Sequence, residues 1–165
     1  MAKATRPAKK KGSGSSTEPL VRAEDFRRYL RENADVIAPG DVEPLVRRRE
    51  AVLVKVARNC SGRERLERQL TLALNILEDH VTHRSPQIPY HTISLLAVAL
   101  LYFMNPMDVI PDWIRGVGTS DDALLVELAF EAAAPGVERY CTWKGISTDN
   151  VLGPIPATVT RQKPK

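Results

Sequence analysis

The chain has 165 residues, of which 43% are hydrophobic and 5% aromatic, and this length suits one domain of roughly 100 to 150 residues with tails. So few aromatic residues argue against an extended platform for stacking nucleobases. The formal net charge is +4, and removing +4 for residues 1–19 and +3 for residues 161–165 leaves −3 for residues 20–160. The charge therefore does not indicate a folded nucleic-acid-binding domain.

Both ends of the chain are predicted to lie outside the fold. Residues 1–19 contain lysine, glycine, serine and proline but no large apolar side chain except the initial methionine. Because such a segment cannot bury enough surface to offset the entropy of ordering, we predict a disordered basic arm. Residues 145–165 contain three prolines, which predicts an irregular tail. The sequence thus predicts a single helical domain over residues 20–144.

The first two predicted helices follow from apolar residues at helical spacing. The first presents an apolar face over residues 26–37 and ends before Pro39-Gly40. The second begins with Asp41 as its N-cap. Residues 51–57 (AVLVKVA) would also suit a strand by their β-branched content, but the cap and the lack of a partner strand favour a helix.

The remaining helices follow by the same criterion, and the last of them is short: residues 61–86, 90–103, 120–134 and 137–143. The helix over 90–103 is apolar on all sides, and its longest uninterrupted apolar run, LLAVALLYFM, is about half of the roughly 20 residues that a membrane span requires. A helix of this kind must be surrounded by others. We therefore predict an all-α protein, a compact bundle of five to six helices around an apolar central helix.

Residues 105–119 (NPMDVIPDWIRGVGT) form a Pro-kinked loop before the last long helix. Pro106 and Pro111 each disfavour helical geometry in the residue before them. The loop is nevertheless rich in large apolar side chains, and ordered loops of this length are commonly functional. Four carboxylates lie in or directly after it: Asp108, Asp112, Asp121 and Asp122.

This region resembles the YkvA-like family, a bacterial helical domain of unknown function, over about residues 90–131. The family has an apolar helix, a P-x-D-x-I-P-D turn, a glycine and an Asp-Asp pair that opens a second helix. The matching positions, with the asparagine that precedes them, are Asn105, Pro106, Asp108, Ile110, Pro111, Asp112, Gly118, Asp121 and Asp122. The resemblance implies a fold element, a bacterial or archaeal origin and a frequent suggestion of membrane association, but no established activity.

Two interpretations of the four aspartates stay open. Mg²⁺ and Ca²⁺ prefer several oxygen ligands, so Asp108 and Asp112 would share a divalent cation with Asp121 and Asp122 if the loop brought them together. The interpretation we favour is structural, with turn capping after the prolines and a capping box from Thr119 to Asp122. We predict no cofactor, and a divalent cation is the alternative.

Other candidate sites have little support in the sequence. His80 and His83 lack a visible third ligand, and histidines in a last helical turn also suit the helix C-terminus. Neither Cys60 nor Cys141 has zinc-ligand spacing, so a reduced chain is expected. No phosphate-binding glycine motif is present, which predicts no nucleotide cofactor.

One candidate contact surface combines aromatic and apolar side chains from the central helix and the loop: Tyr102, Phe103, Trp113 and Ile114. These residues would contact a membrane or a partner, since tryptophan and tyrosine suit the headgroup layer. Ordinary core packing is the interpretation we favour. No apolar stretch follows Lys11, so we expect a cytoplasmic protein, peripheral at the inner membrane if membrane-associated, and not a secreted one.

The sequence therefore favours a non-catalytic helical interaction module, soluble or peripherally membrane-associated, with a protein or a membrane surface as partner. A divalent-metal-dependent enzyme or metal-binding protein is the first alternative. A nucleic-acid-associated protein is the second, since the basic tails predict weak, non-specific binding to polyanions.

Overall fold

A computed structural model describes residues 18–104 and 120–154 of the chain. Within these ranges the chain forms helices and no strand, which confirms the all-α prediction. The six helices are α1 Glu18–Ala34, α2 Pro39–Arg47, α3 Arg49–Asn59, α4 Glu64–Val81, α5 Tyr90–Met104 and α6 Ser120–Lys144.

Helix α5 is the centre of the bundle, as its sequence predicts. Every residue from Thr92 to Leu100 is buried, and so are Tyr102 and Phe103. Helices α1, α2, α4 and α6 all pack against α5, so the apolar surface on each of its sides is covered. This enclosure removes from water the most apolar segment of the chain, which is the main driving force for the fold.

The second predicted helix is two helices, α2 and α3, that meet at Arg48. Asp41 is not the N-cap, because Ala38 occupies that position. Asp41 lies in the first turn instead, where its Oδ2 accepts a hydrogen bond of 2.8 Å from the amide of Ala38. Pro39 opens the helix, where the missing amide hydrogen costs nothing. Residues 51–57 lie in α3, so the strand alternative is wrong.

Helix α4 ends at Val81, before the predicted end at Pro86. The amides of Arg84 and Ser85 both donate hydrogen bonds to the carbonyl of Asp79, at 2.8 and 3.1 Å. His83 has a left-handed backbone with φ of 55°. The chain thus turns back on itself and closes the last turn of the helix, as helix ends often do.

Helix α6 continues through Pro135-Gly136 to Lys144, so the predicted end at Ala134 is wrong. Pro135 is exposed, and solvent can therefore satisfy the carbonyl that proline leaves without a helical partner. Gly136 faces α5, and a Cβ atom at this position would lie 2.2 Å from Thr92 Oγ1. Pro135-Gly136 disfavours a helix locally, but the missing side chain of Gly136 allows α5 and α6 to pack closely.

A buried hydrogen-bond cluster joins the last turns of α4 and α6. Tyr140 Oη donates to Asp79 Oδ2 at 2.6 Å, and Lys144 Nζ donates to the same oxygen at 2.8 Å. Burial acts to raise the pKa of Asp79, but the hydrogen bonds from Lys144 and Tyr140 outweigh it and hold that pKa below its usual value. Burial and the Asp79 carboxylate raise the pKa of Tyr140. At neutral pH a carboxylate therefore accepts from a phenol and an ammonium group.

We predict that Gly136→Ala destabilises the protein by about 1 to 3 kcal/mol, because the new methyl group would overlap Thr92. The matched control is Gly40→Ala, since a Cβ there meets nothing within 4 Å. That change should be neutral or stabilise by up to about 1 kcal/mol. Denaturant unfolding of the full chain measures both, and a Gly136→Ala protein as stable as the parent would contradict the close approach.

We also predict opposite outcomes for two deletions of a buried tyrosine hydroxyl. Tyr140→Phe should cost about 1 to 3 kcal/mol, because it removes a donor from the buried Asp79 carboxylate. Tyr29 Oη, in contrast, has no hydrogen-bond partner among the described residues, and burial raises the pKa of Tyr29 to about 12. Tyr29→Phe should therefore leave stability unchanged or raise it by up to about 1 kcal/mol. Equal losses in thermal and denaturant unfolding would refute this difference.

Candidate functional site

Most of the predicted site residues lie outside the described part of the chain. These are Asn105, Pro106, Asp108, Ile110, Pro111, Asp112, Trp113, Ile114 and Gly118. The description resumes at Ser120, and Asp121 lies in the first turn of α6. Asp122, in the same turn, is half-buried. Carboxylates in a first helical turn interact favourably with the positive end of the helix dipole.

The described residues contain no group of three or more histidine, cysteine, aspartate or glutamate side chains that would hold a metal ion. Asp79 bonds to Tyr140 and Lys144 rather than to a histidine. Burial, together with the charge of His83, lowers the pKa of His80. Among the described residues, His80 and His83 therefore have no third side chain with which to bind a metal ion.

The two cysteines are both buried and free. Burial raises the pKa of the Cys60 thiol and of the Cys141 thiol. Each is therefore a protonated thiol at neutral pH, and the protonated form is a poor nucleophile and a poor metal ligand.

Tyr102 and Phe103 belong to the core of the bundle. The Tyr102 ring makes edge-on contacts with Phe26 and Tyr29, with ring centroids 6.2 and 6.0 Å apart. Lys55 Nζ lies 5.4 Å from the centre of the Phe103 ring and donates a hydrogen bond of 2.7 Å to the carbonyl of Met104. The structure therefore places these two candidate contact residues inside the packing, while Trp113 and Ile114 lie outside the described residues.

A half-open groove of about 580 Å³ lies between the first turns of α4 and α6. Its lining combines the apolar side chains Leu66, Ala123 and Leu124 with charged residues on both helices. The groove adjoins the first turn of α6, immediately after the loop that resembles the YkvA-like family. Ala123 and Leu124 in its wall directly follow the predicted site residues Asp121 and Asp122 in sequence.

The wall of this groove holds a hydrogen-bond network centred on Glu127. Arg65 Nε donates to Glu127 Oε2 at 2.9 Å, and Arg65 Nη2 donates to Glu127 Oε1. The buried amide of Gln69 donates to the same carboxylate at 2.9 Å and to the carbonyl of Val151 at 3.0 Å. Arg65 also donates to the carbonyl of Gly153 at 2.9 Å. The network joins α4, α6 and the segment after α6.

Arg65 and Glu127 form a bidentate ion pair in this network. Both oxygens of Glu127 accept hydrogen bonds, and the bond to Glu127 raises the pKa of Arg65. An ion pair of this geometry is charge-assisted and strong, so a proton transfer would first have to break it. The groove therefore offers apolar surface and charged side chains for binding, and neither Arg65 nor Glu127 is free to act as a general base while the ion pair is intact.

Sequence reasoning missed the network because Arg65 and Glu127 are 62 residues apart. One signal was present. Gln69 interrupts an otherwise apolar stripe of α4 beside Leu66 and Leu70, and it is only 1% exposed. A polar side chain on a buried face must find a hydrogen-bond partner, but the sequence alone does not identify that partner.

Comparisons with known proteins find similarity over α5, the loop after it and the start of α6. A family described as "Protein of unknown function (DUF1232)" matches residues 92–128. The "Uncharacterized membrane protein YkvA" of Bacillus subtilis (strain 168) is 30% identical over 83 residues, which cover 50% of this chain and 78% of that protein. No solved structure matches the chain.

The fold and the comparisons together define a small all-α protein built around one enclosed apolar helix. The chain belongs to the YkvA-like family, as the resemblance over residues 90–131 predicts. Within residues 18–104 and 120–154, no helix is both long enough and apolar enough to cross a bilayer.

We predict that Glu127→Ala destabilises the protein by about 2 to 3 kcal/mol, because it leaves the Arg65 and Gln69 donors without their shared acceptor. Glu131→Ala is the matched control one turn later on α6. Glu131 is 66% exposed and lies 3.7 Å from Arg27, so its loss should cost about 0.5 kcal/mol or less. Urea unfolding of both variants checks the difference, and similar losses would mean that the network contributes no more than a surface pair.

Proposed function

We propose that the protein is a non-catalytic helical module of the cytoplasm that associates peripherally with anionic membrane surfaces through its basic ends. The observation that carries the proposal is the separation of charge along the chain. Residues 1–19 carry +4 and residues 161–165 carry +3, while residues 20–160 carry −3. Clusters of lysine and arginine bind anionic lipids with about 1 kcal/mol for each residue near the surface.

The family relationship supports a membrane role. The relative from Bacillus subtilis bears the name of a membrane protein, and the similarity covers 78% of its length. The most apolar segment of the present chain, α5, packs inside the bundle. Under this proposal, α5 does not contact lipid, and the attraction to lipid comes from the basic residues in 1–19 and 161–165.

The described polar groups support the non-catalytic part of the proposal. Glu127 near the start of α6 and Asp79 near the end of α4 are both engaged by cationic partners on the bundle. An enzyme would need a base or nucleophile placed beside a cavity. We propose that the aspartates of the loop serve as turn and helix caps. The experiment below also tests the metal-binding alternative.

The test is co-sedimentation of the full chain with vesicles of phosphatidylglycerol mixed with phosphatidylcholine, or of phosphatidylcholine alone. Binding should require the anionic lipid and should weaken as salt is raised. Neutralising Lys9, Lys10 and Lys11 to glutamine should lower the partition coefficient at least about tenfold.

The matched control replaces three exposed arginines of the bundle by glutamine: Arg47, Arg48 and Arg58. This variant loses the same charge, and its binding should change less than about threefold. Equal losses in both variants, or equal binding to phosphatidylcholine alone, would contradict the proposal. EDTA should have no effect, and chelation that abolished binding would favour the metal-binding alternative. Binding to DNA with sequence preference would favour the nucleic-acid alternative.

A further inference from the structure

The groove between the first turns of α4 and α6 lies beside the last described residues of the chain. Asn150, which follows α6, belongs to its lining. The carbonyl of Val151 accepts a hydrogen bond from Gln69, and the carbonyl of Gly153 accepts one from Arg65, one turn nearer the start of α4. The chain after α6 thus runs back along α4 toward its start, and the next residues of the sequence begin beside the groove.

The groove combines apolar surface with a buried donor that has no acceptor. Leu66, Ala123 and Leu124 supply the apolar surface, and the latter two are only half-buried. Arg65 Nη1 is buried and has no hydrogen-bond partner among the described residues. Because buried polar groups are nearly always hydrogen-bonded, an occupant with apolar side chains and a free carbonyl would suit both features.

The sequence that follows the described chain has these properties. Residues 155–160 read IPATVT, so apolar side chains alternate with proline or threonine. Pro156 favours an extended backbone at Ile155, and alternate side chains of an extended chain lie on opposite faces. Ile155 and Val159 would therefore share one apolar face with Ala157.

The length of this segment also suits the groove. Residues 155–159 span at most about 14 Å when extended. About two turns of α4 line the groove, which is a length of about 11 Å. A backbone extended along α4 also carries carbonyl groups, and Arg65 already donates to one of them at Gly153. The groove can therefore hold this segment as a direct continuation of the described chain.

We infer that the groove binds an extended peptide with apolar residues at alternate positions, and that its occupant is residues 155–159 of the same chain. Ile155 and Val159 would cover the apolar lining, and a backbone carbonyl would accept a hydrogen bond from Arg65 Nη1. Residues 161–165, which carry +3, would then leave the bundle at the start of α4. The inference does not depend on the proposed membrane association.

The first test measures nuclear magnetic resonance relaxation and contacts in the isotope-labelled full chain. Backbone order parameters of residues 157–159 should be about 0.8, because docked residues move with the bundle, whereas a flexible tail gives values below about 0.6. Nuclear Overhauser effects should join the methyl groups of Val159 to those of Leu66 and Leu124. Low order parameters, or the absence of these contacts, would overturn the inference.

The second test compares Val159→Asp with Thr158→Asp in the full chain. The two variants add the same charge to neighbouring residues on opposite faces of the extended segment, and neither alters a residue of the bundle. Val159→Asp should lower the order parameters of residues 157–159 below about 0.6 and abolish the contact between Ile155 and the groove. Thr158→Asp should leave both unchanged. Equal effects of the two changes would refute the inference.

The same spectra distinguish other occupants of the groove. In a mixture of labelled and unlabelled protein, contacts from Val159 to Leu124 that arise only between molecules would assign the groove to a second copy of the chain. Contacts from Trp113 or Ile114 in place of Val159 would assign it to the loop before α6. Either result overturns the inference, while the binding of the protein to vesicles is a separate measurement and tests only the proposed function.

Discussion

Helix α5 is apolar on all its sides, and the arrangement of the other helices follows from the need to cover it. A helix with one apolar stripe can lie at a surface, but α5 must be enclosed. Helices α1, α2, α4 and α6 provide that enclosure, and Gly136 lets α6 approach as closely as it does. The same enclosure removes the most lipid-like segment of the chain from the surface, so any attraction to a membrane must come from other residues.

Apolar packing alone specifies poorly how far one helix is shifted along another, and two polar connections supply this information for α4 and α6. Arg65 and Gln69 near the start of α4 bind Glu127 near the start of α6. Asp79 near the end of α4 binds Tyr140 and Lys144 near the end of α6. The two connections are about 20 Å apart along each helix at 1.5 Å per residue, so α4 and α6 run parallel.

The parts of the fold that sequence could predict are those set by local periodicity. The leucine stripe of α4, the uniform apolarity of α5 and the start of α6 at Ser120 all agree with the structure. The errors occur where contacts distant in sequence outweigh local preferences. Pro135-Gly136 predicts a helix end, but packing on Thr92 keeps the chain helical. The hydrogen-bond network of the groove could not be predicted for the same reason, because its residues meet only in the folded chain. Most of the predicted site lies outside the described residues.

The parallel course of α4 and α6 also gives a physical reason for the positions of some charged residues on these two helices. Parallel helices place their positive ends together and their negative ends together, and each end favours side chains of the opposite charge by about 0.3 to 1 kcal/mol. Glu64, Asp121 and Asp122 occupy first turns, while Lys144 occupies a last turn. Each of these residues therefore stabilises the helix that carries it. Arg63, Arg65 and Arg68 lie at the same end as these acids, so the helix dipole accounts for where the acids and Lys144 stand along each helix and not for a net charge at either end of the bundle.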